Sequence, residues 1–301
     1  MPRSHSRIPR RRGLKAALAA AVPLALPSRA PAGPTAAGAG HRVPLRVMSF
    51  NLRYASTAEP HSWSARRPVT RALLHRERPH VIGTQEGLYQ QLRDIETDLG
   101  TVYDWIGTGR AGGSRGEFAA VFYDTRRLAP LEYDHFWLSG TPDVIGSNTW
   151  GGGSVRMATW VRFRDLLCGG REFCVLNTHL DNRSQYARVR AAALIVRRAA
   201  GLGRSHPLVV TGDFNVPAHR NPVYDTMLGA GLADTWDTAA RRSELYGTFH
   251  GYRPPAPGGD RIDWILATPG VTVHEARIST FSAHGQYPSD HLPVQVSLTL
   301  G

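Results

Sequence analysis

The chain has 301 residues, of which 42% are hydrophobic and 20% charged, so it can build a large core and is not globally disordered. No apolar run approaches the roughly 20 residues that a membrane-spanning helix needs, which argues against an integral membrane protein. The net charge of +12 is concentrated at the amino terminus, because residues 1–42 hold eight of the 36 Lys and Arg and no acidic residue, and residues 43–301 carry only +4.

Residues 1–42 are predicted to be an export leader. A basic segment that ends at Lys15 precedes a short apolar stretch over 16–26 and a run rich in Ala, Gly and Pro, which is typical of a secretory signal. The run Arg10-Arg11-Arg12-Gly13-Leu14-Lys15 resembles a twin-arginine export signal. A disordered basic tail is the alternative. We expect a secreted or extracytoplasmic protein whose folded domain is 43–301.

The folded part begins with a strand over 45–50, where apolar and polar residues alternate. Helical spacing follows over 64–78 and ends at Pro79, and a second strand begins at His80. The later predicted elements are a helix over 88–99 closed by Gly100, a loop over 107–116, strands over 117–123, 159–163 and 173–177, a helix over 182–200 ended by Gly201, and strands over 207–211, 261–266 and 292–300. Many strands with few interleaved helices, and no internal repeat, predict one α/β or α+β domain.

The only two cysteines, Cys168 and Cys174, flank a segment that reads as a tight hairpin between two strands. Two cysteines alone cannot form a four-ligand zinc site. In an exported protein they could form a disulfide, and two reduced, half-buried thiols are an equal alternative.

Polar side chains stand at the ends of one predicted strand after another, and Asp290 and His291 open the final strand. They are Asn51, Glu86, His179, Asp213, Asn215, Asp263, Asp290 and His291. Each alone has an ordinary explanation as a turn, cap or surface residue. Together they predict one cleft at a sheet edge, because a rigid scaffold commonly presents catalytic residues on strand ends and loops.

These residue types suit metal-assisted attack on a phosphate ester. Mg²⁺ prefers oxygen ligands and takes one or two carboxylates, which Glu86 with Asn51 and Asp290 would supply, and Mn²⁺ is possible. The sequence contains no thiolate cluster or H-E-x-x-H, no Gly-x-Ser-x-Gly and no P-loop. A zinc peptidase, a serine hydrolase of that type and a P-loop nucleotide hydrolase are therefore disfavoured.

The chain resembles the endonuclease/exonuclease/phosphatase superfamily. The matching segments occur in the family's order and span 45–300; they are Ser49-Phe50-Asn51, Gln85-Glu86, Asn177-Thr178-His179-Leu180-Asp181, Gly212-Asp213-Phe214-Asn215, Arg261-Ile262-Asp263 and Ser289-Asp290-His291. The resemblance implies an α+β fold, a four-layer αββα sandwich of two mixed β-sheets with the site at one end.

The resemblance also implies the roles of the site residues. Glu86 would be the principal metal ligand, with Asn51 and Asp290 assisting. Asp213 would orient and deprotonate the attacking water, and Asn215 and His179 would bind the non-bridging phosphate oxygens. His291, held by Asp263, would stabilise the phosphate or serve the leaving group.

Within the superfamily, His179 stands where abasic-site endonucleases carry a tyrosine, and the chain is most similar to secreted bacterial members. Arg156 and His250 lie in segments that recur there. They could contact the substrate, or form ordinary loop salt bridges and hydrogen bonds.

We therefore predict a monomeric, Mg²⁺-dependent phosphoesterase that acts on a phosphodiester or phosphomonoester. The first alternative is a nuclease acting on DNA or RNA, although the mildly basic body does not favour it. The second alternative is a catalytically silent binding module on the same fold.

Overall fold

The computed structural model describes residues 43–301, and the export leader predicted at 1–42 lies outside the described residues. The helices are α1 (Trp63–Glu77), α2 (Tyr89–Leu99), α3 (Gln185–Leu202), α4 (Pro222–Gly229) and α5 (Thr235–Thr238). The strands are β1 (Leu45–Asn51), β2 (Val81–Gln85), β3 (Gly87–Leu88), β4 (Tyr103–Ile106), β5 (Glu117–Phe118), β6 (Val121–Asp124), β7 (Leu128–Trp137), β8 (Met157–Asp165), β9 (Arg171–His179), β10 (Leu208–Asp213), β11 (Ala233–Asp234), β12 (Arg241–Arg242), β13 (Asp263–Ala267), β14 (Thr272–Ile278) and β15 (Val294–Thr299).

Two large sheets and two helical layers form the predicted four-layer αββα sandwich. Sheet one has the order β12-β14-β15-β1-β2-β6-β4, and sheet two has the order β11-β13-β10-β9-β8-β7. Both sheets are mixed, since β1 pairs parallel with β2 and β9 pairs parallel with β10 while most other pairs are antiparallel. The predicted fold class is confirmed. Among the described residues, no helix has the length and apolar character needed to cross a membrane.

Side-chain alternation along the strands separates three apolar layers. In β1, Val47 belongs to the core between the sheets, whereas Met48 and Phe50 pack under α1 and α2. In β9, Val175 faces the other sheet and Leu176 packs under α3. Because successive strand residues point to opposite faces, each sheet is covered by apolar packing on both sides.

Several predicted boundaries differ from the structure. The single strand predicted over 117–123 is wrong, because β5 pairs with β3 whereas β6 pairs with β2. The helix predicted from residue 182 begins at Gln185, since the Asp181 carboxylate accepts the N–H groups of Arg183 and Ser184 and holds them in a turn. Strands β4, β7 and β14 and helix α4 were not predicted.

The hairpin predicted between the two cysteines is confirmed, because β8 pairs antiparallel with β9 around it. Both cysteines are free. The Cys174 thiol lies in the apolar layer under α3, whereas Cys168 lies in the turn and contacts the carbonyl of Val43. Of the two alternatives, the structure therefore shows reduced thiols.

Candidate active site

Three adjacent strands of sheet two end in polar side chains at one edge. Asp213, the last residue of β10, pairs across the sheet with His179 at the end of β9 and with Asp263 at the start of β13. All three occupy strand positions that face sheet one, where residues further along the same strands form the inter-sheet core. The site is thus the polar continuation of that core at the open end of the sandwich.

The Asp213 carboxylate lies at the centre of the convergence, with 1% of its residue surface exposed. Its Oδ2 atom accepts a hydrogen bond of 2.9 Å from the Asn51 amide of sheet one. The Nε2 atoms of His179 and His291 lie 3.4 and 3.9 Å from the same oxygen. Its Oδ1 atom accepts the backbone N–H of Asn215 at 2.8 Å. Five of the predicted residues therefore meet at one carboxylate.

His291 and Asp263 form a buried pair whose Nδ1 and Oδ2 atoms lie 2.9 Å apart. Burial opposes the charged imidazolium, but the adjacent Asp263 carboxylate outweighs burial and raises the pKa of His291 to about 10. Burial, followed by the negative charge of Asp263, raises the pKa of Asp213 to about 7. At neutral pH the site therefore contains a cationic imidazolium beside a carboxyl group that can gain or lose a proton.

Glu86 and Asp290 lie on the other side of the site, and both face the guanidinium of Arg53. Its Nη1 atom is 4.0 Å from Glu86 Oε2, and its Nε atom is 3.7 Å from Asp290 Oδ2. The Asn51 amide nitrogen donates to Glu86 Oε1 at 3.1 Å, while its Oδ1 atom accepts the backbone N–H of Arg53. Asn51 thus contacts Glu86 through its nitrogen, whereas a metal ligand would use the oxygen.

The donor set fits a hard divalent cation. Glu86, His179 and Asp213 each offer one ligand atom, and these atoms all lie within 4.8 Å of one another. Carboxylate oxygens predominate and no thiolate is near, which suits Mg²⁺ or Mn²⁺ rather than a soft metal. A cationic group, the Arg53 guanidinium, already lies between Glu86 and Asp290. The carboxylates of Glu86 and Asp290, predicted at the metal, therefore lie where a bound cation would be stabilised.

A further His and Asp group in the described part of the chain is formed by His219, Asp234 and Asp237. Here the Arg261 guanidinium donates to Asp234 Oδ2 at 2.7 Å and lies 3.4 Å from His219 Nε2. His219 and Asp237 are exposed, and the buried Asp234 carboxylate is paired with Arg261, so this group is a surface ion-pair network.

Arg156 lies directly against His179, and its substrate contact stays a prediction. It is 9% exposed, and its Nη1 atom is 2.7 Å from Nδ1 and 3.1 Å from Nε2 of the ring. The same guanidinium lies 3.8 Å from Glu117, which is also paired with Arg110 at 2.7 Å. Burial and the charge of Arg156 hold the pKa of His179 well below its usual range, so the ring is neutral.

His250 has no ring nitrogen free for a substrate. Its Nδ1 atom faces the carbonyl of Arg253 at 2.7 Å, and its Nε2 atom faces the carbonyl of Ser289 at 3.0 Å. The ring therefore anchors the backbone that precedes Asp290. The structure shows these hydrogen bonds, and the substrate contact of His250 stays a prediction.

Three residues at the site were not predicted from the sequence. Arg53 follows Asn51 by two positions, and this proximity was the only available signal. Phe249 is 53% exposed, with its ring centre 5.1 Å from that of His291. Arg66 is fully buried beneath the segment after β1. A buried arginine in a helix has the same sequence signature as an exposed one, so no local pattern identifies it.

The sequence profile described as the Endonuclease/Exonuclease/phosphatase family matches residues 48–291. A comparison of the chain with curated proteins found no match. Among solved structures, the chain is 34% identical to a mannosyl-6-phosphatase from Bacteroides thetaiotaomicron. The match has a TM-score of 0.79 and covers 85% of this chain and 100% of that one.

An endonuclease/exonuclease/phosphatase from Bacteroides vulgatus is also 34% identical, with a TM-score of 0.81, over 86% of this chain and 100% of that one. TDP2 from D. rerio, solved with a single-strand DNA product, is 15% identical with a TM-score of 0.67, over 85% and 99% of the two chains. That last likeness shows the fold alone. From the profile match and these identities, we conclude that the chain belongs to the endonuclease/exonuclease/phosphatase family.

Proposed function

We propose that this protein is a Mg²⁺-dependent phosphatase that removes the phosphate group of a phosphorylated sugar by direct attack of water. Members of the family hydrolyse phosphoesters, and the family generally uses divalent metal ions. The observation that carries the proposal is the buried Asp213 carboxylate, which contacts Asn51, His179 and His291 from two different sheets. The likeness to a mannosyl-6-phosphatase supports a sugar phosphate as the substrate.

Asp213 is suited to be the general base. A pKa of about 7 is near the optimum for a group that must be ionised yet accept a proton from water at neutral pH. The Asn215 backbone N–H and the Asn51 amide hold the two carboxylate oxygens, so the carboxylate is oriented before substrate binds. A bound Mg²⁺, held by Glu86 with Asp290, would act as a Lewis acid on the phosphate oxygens.

The remaining polar groups are arranged to stabilise the transition state. The Asn215 side-chain nitrogen, which also donates to the Leu180 carbonyl, lies 3.1 Å from His179 Nε2. Both groups would bind non-bridging oxygens when the substrate phosphate replaces the contact between them. The imidazolium of His291 supplies positive charge, and Asp263 fixes the orientation of the ring. Because water is largely excluded around these buried groups, each contact is stronger than it would be in solvent.

The exposed ring of Phe249 supports a substrate whose alcohol portion has an apolar face. The ring borders His291 on the solvent side of the site, where the leaving group of a phosphomonoester would project. An exposed aromatic ring beside a polar centre is a typical feature of a small-molecule site.

Hydrolysis of mannose 6-phosphate with Mg²⁺, with Mn²⁺ and with excess chelator tests the proposal directly. We expect phosphate release that needs the metal and falls by about 10²–10⁴ in Asp213→Asn. Asp225→Asn, an exposed substitution on α4, should leave the rate unchanged. Cleavage of DNA or RNA with a steep dependence on salt, and no release from the sugar phosphate, would favour the nuclease alternative. No turnover of either class would favour a silent binding module.

For residues 1–42 we propose export by a twin-arginine signal. Cell fractionation of the full chain, with an Arg11→Lys and Arg12→Lys double variant as the control, tests this. Equal extracytoplasmic amounts of both forms would exclude the twin-arginine route.

A further inference from the structure

The site is divided between the two sheets. Sheet one contributes the residues predicted at the metal, which are Asn51 at the end of β1, Glu86 after β2 and Asp290 before β15. Sheet two contributes the predicted base and phosphate-binding residues, which are His179, Asp213 and Asn215. The distance between the sheets at this end therefore sets the distance between the two halves of the site.

Below the site, the buried side-chain amide of Asn177 joins the two sheets. Asn177 of β9 donates from Nδ2 to the carbonyls of Thr84 at 2.8 Å and Ala120 at 3.0 Å, which belong to sheet one and its neighbouring segment. Its Oδ1 atom accepts from Gln85 of β2 at 2.7 Å and from Thr211 of β10 at 3.0 Å. All four hydrogen-bonding positions of this amide are used, so its position is fixed.

The two sheets lie close together at Gly83 of β2. A Cβ atom at this position would overlap the Thr211 hydroxyl and lie 2.7 Å from Asn177 Oδ1. The φ angle at Gly83 is not positive, so glycine is needed for space rather than for backbone conformation. A larger residue here would force the two sheets apart, because both neighbouring atoms are held in the same hydrogen-bond network.

We propose that Gly83, Asn177 and Thr211 act as positioning residues that set the spacing between the two halves of the site, an inference that rests on the proposed function. We call this group the inter-sheet contact. Each member lies close along its strand to a site residue. Gly83 precedes Glu86 by three positions, and Asn177 and Thr211 each precede a site residue by two, His179 and Asp213. The inter-sheet contact thus places the metal side of the site against the base.

The substitution Gly83→Ala tests this inference. A displacement of about 1 Å between reacting groups can lower a rate by about 10²-fold, and we expect kcat on p-nitrophenyl phosphate to fall by about that factor. The Mg²⁺ affinity, measured by calorimetry without substrate, should stay within about twofold, because Glu86 and Asp290, the carboxylates proposed to hold the metal, both lie on the sheet-one side. His179 and Asp213 of sheet two are proposed to serve phosphate and water rather than the metal. Because the distance between base and metal matters more in the transition state than in the bound substrate, KM should change less than kcat.

Gly201→Ala in α3 is the matched control, since a Cβ atom there meets nothing within 4 Å. Thr211→Val keeps the volume and removes one hydrogen bond to Asn177, so it should show a smaller fall in kcat with the same unchanged Mg²⁺ affinity. This second variant keeps the test decisive if Gly83→Ala does not fold. A Mg²⁺ affinity that falls in parallel with kcat, or an unchanged kcat in folded variants, would overturn the inference.

A crystal structure of Gly83→Ala, or of Thr211→Val, separates failure of this inference from failure of the proposed function. We expect the carboxylates of Glu86 and Asp213 to be farther apart than in the parent. If they move apart but the parent hydrolyses no phosphate ester, the proposed function is wrong and the positioning role stands. If their separation is unchanged, the inference is wrong whatever the activity.

Discussion

Replacing Arg66 with methionine is expected to reduce the free energy of unfolding by about 3–5 kcal/mol. Arg66 lies in α1, is fully buried, and forms no ion pair within 4 Å with a described acidic residue. Its guanidinium instead donates to five backbone carbonyls, at 2.6–3.1 Å, those of Leu52, Arg53, Tyr54, His61 and Pro288. It therefore ties together the segments that follow Asn51 and precede Asp290.

The expected magnitude follows from these contacts. Hydrogen bonds to a charged group each contribute about 1.5–3 kcal/mol net, so five of them set an upper limit well above the predicted loss. Methionine retains most of the side-chain volume and removes the desolvation penalty of the charge, which offsets part of the loss. Burial lowers the pKa of Arg66, because removal from water disfavours the charged guanidinium. The remaining loss comes from carbonyls left without a donor.

Urea unfolding followed by tryptophan fluorescence measures this prediction. The matched control is Arg67→Met, the next residue of α1, which is half-exposed and pairs with Asp94 and Asp98. We expect it to cost less than about 1 kcal/mol. The Mg²⁺ affinity should also fall in Arg66→Met, because the segments that carry the metal-side residues lose their anchor. A loss of stability no greater than that of Arg67→Met would refute the reasoning.

Three further predictions concern the site and the dependence of stability on pH. Asp263→Asn should lower the pKa of His291 towards its ordinary value and reduce kcat by about 10²–10³. The dependence of kcat on pH measures both effects, and an unshifted profile would contradict the pairing of His291 with Asp263. His80 accepts the N–H of Arg46, and burial with nearby arginine charge lowers its pKa to about 3, so the unfolded state binds the proton first as the pH falls below 6.5. Between pH 7 and pH 5, the free energy of unfolding of the parent, measured by urea titration, should therefore fall by about 1–2 kcal/mol more than that of His80→Gln. An equal dependence of stability on pH in the two proteins would exclude this role of His80. Phe249→Ala should raise KM for mannose 6-phosphate about three- to tenfold and change KM for methyl phosphate little. Tyr133→Ala, an exposed control, should change neither KM value. Equal effects of Phe249→Ala on both substrates would exclude stacking of the sugar on the ring.

Local sequence patterns were sufficient to predict the buried strands of the fold. Strands β1, β9 and β10 are apolar, and their motifs end in the site residues, so both could be predicted from neighbouring residues. The missed strands β4 and β7 lie at sheet edges. Most of β7 is exposed and polar, so it shows no alternation of apolar residues. Helix α4 was missed although Asn221 caps it and Pro222 begins it, a pair that signals a helix start.

The sequence by itself determined which side chains are available for the chemistry and which strand each one borders, because these are properties of a few consecutive residues. Only the tertiary structure decided their distances. Asn51 reaches Asp213 across 162 residues of chain, and the approach depends on Gly83 having no side chain where the sheets meet. Contacts between distant segments are set by packing of the whole sandwich, so no local pattern contains them. The same holds for Arg66, whose role is visible only once the carbonyls around it are known.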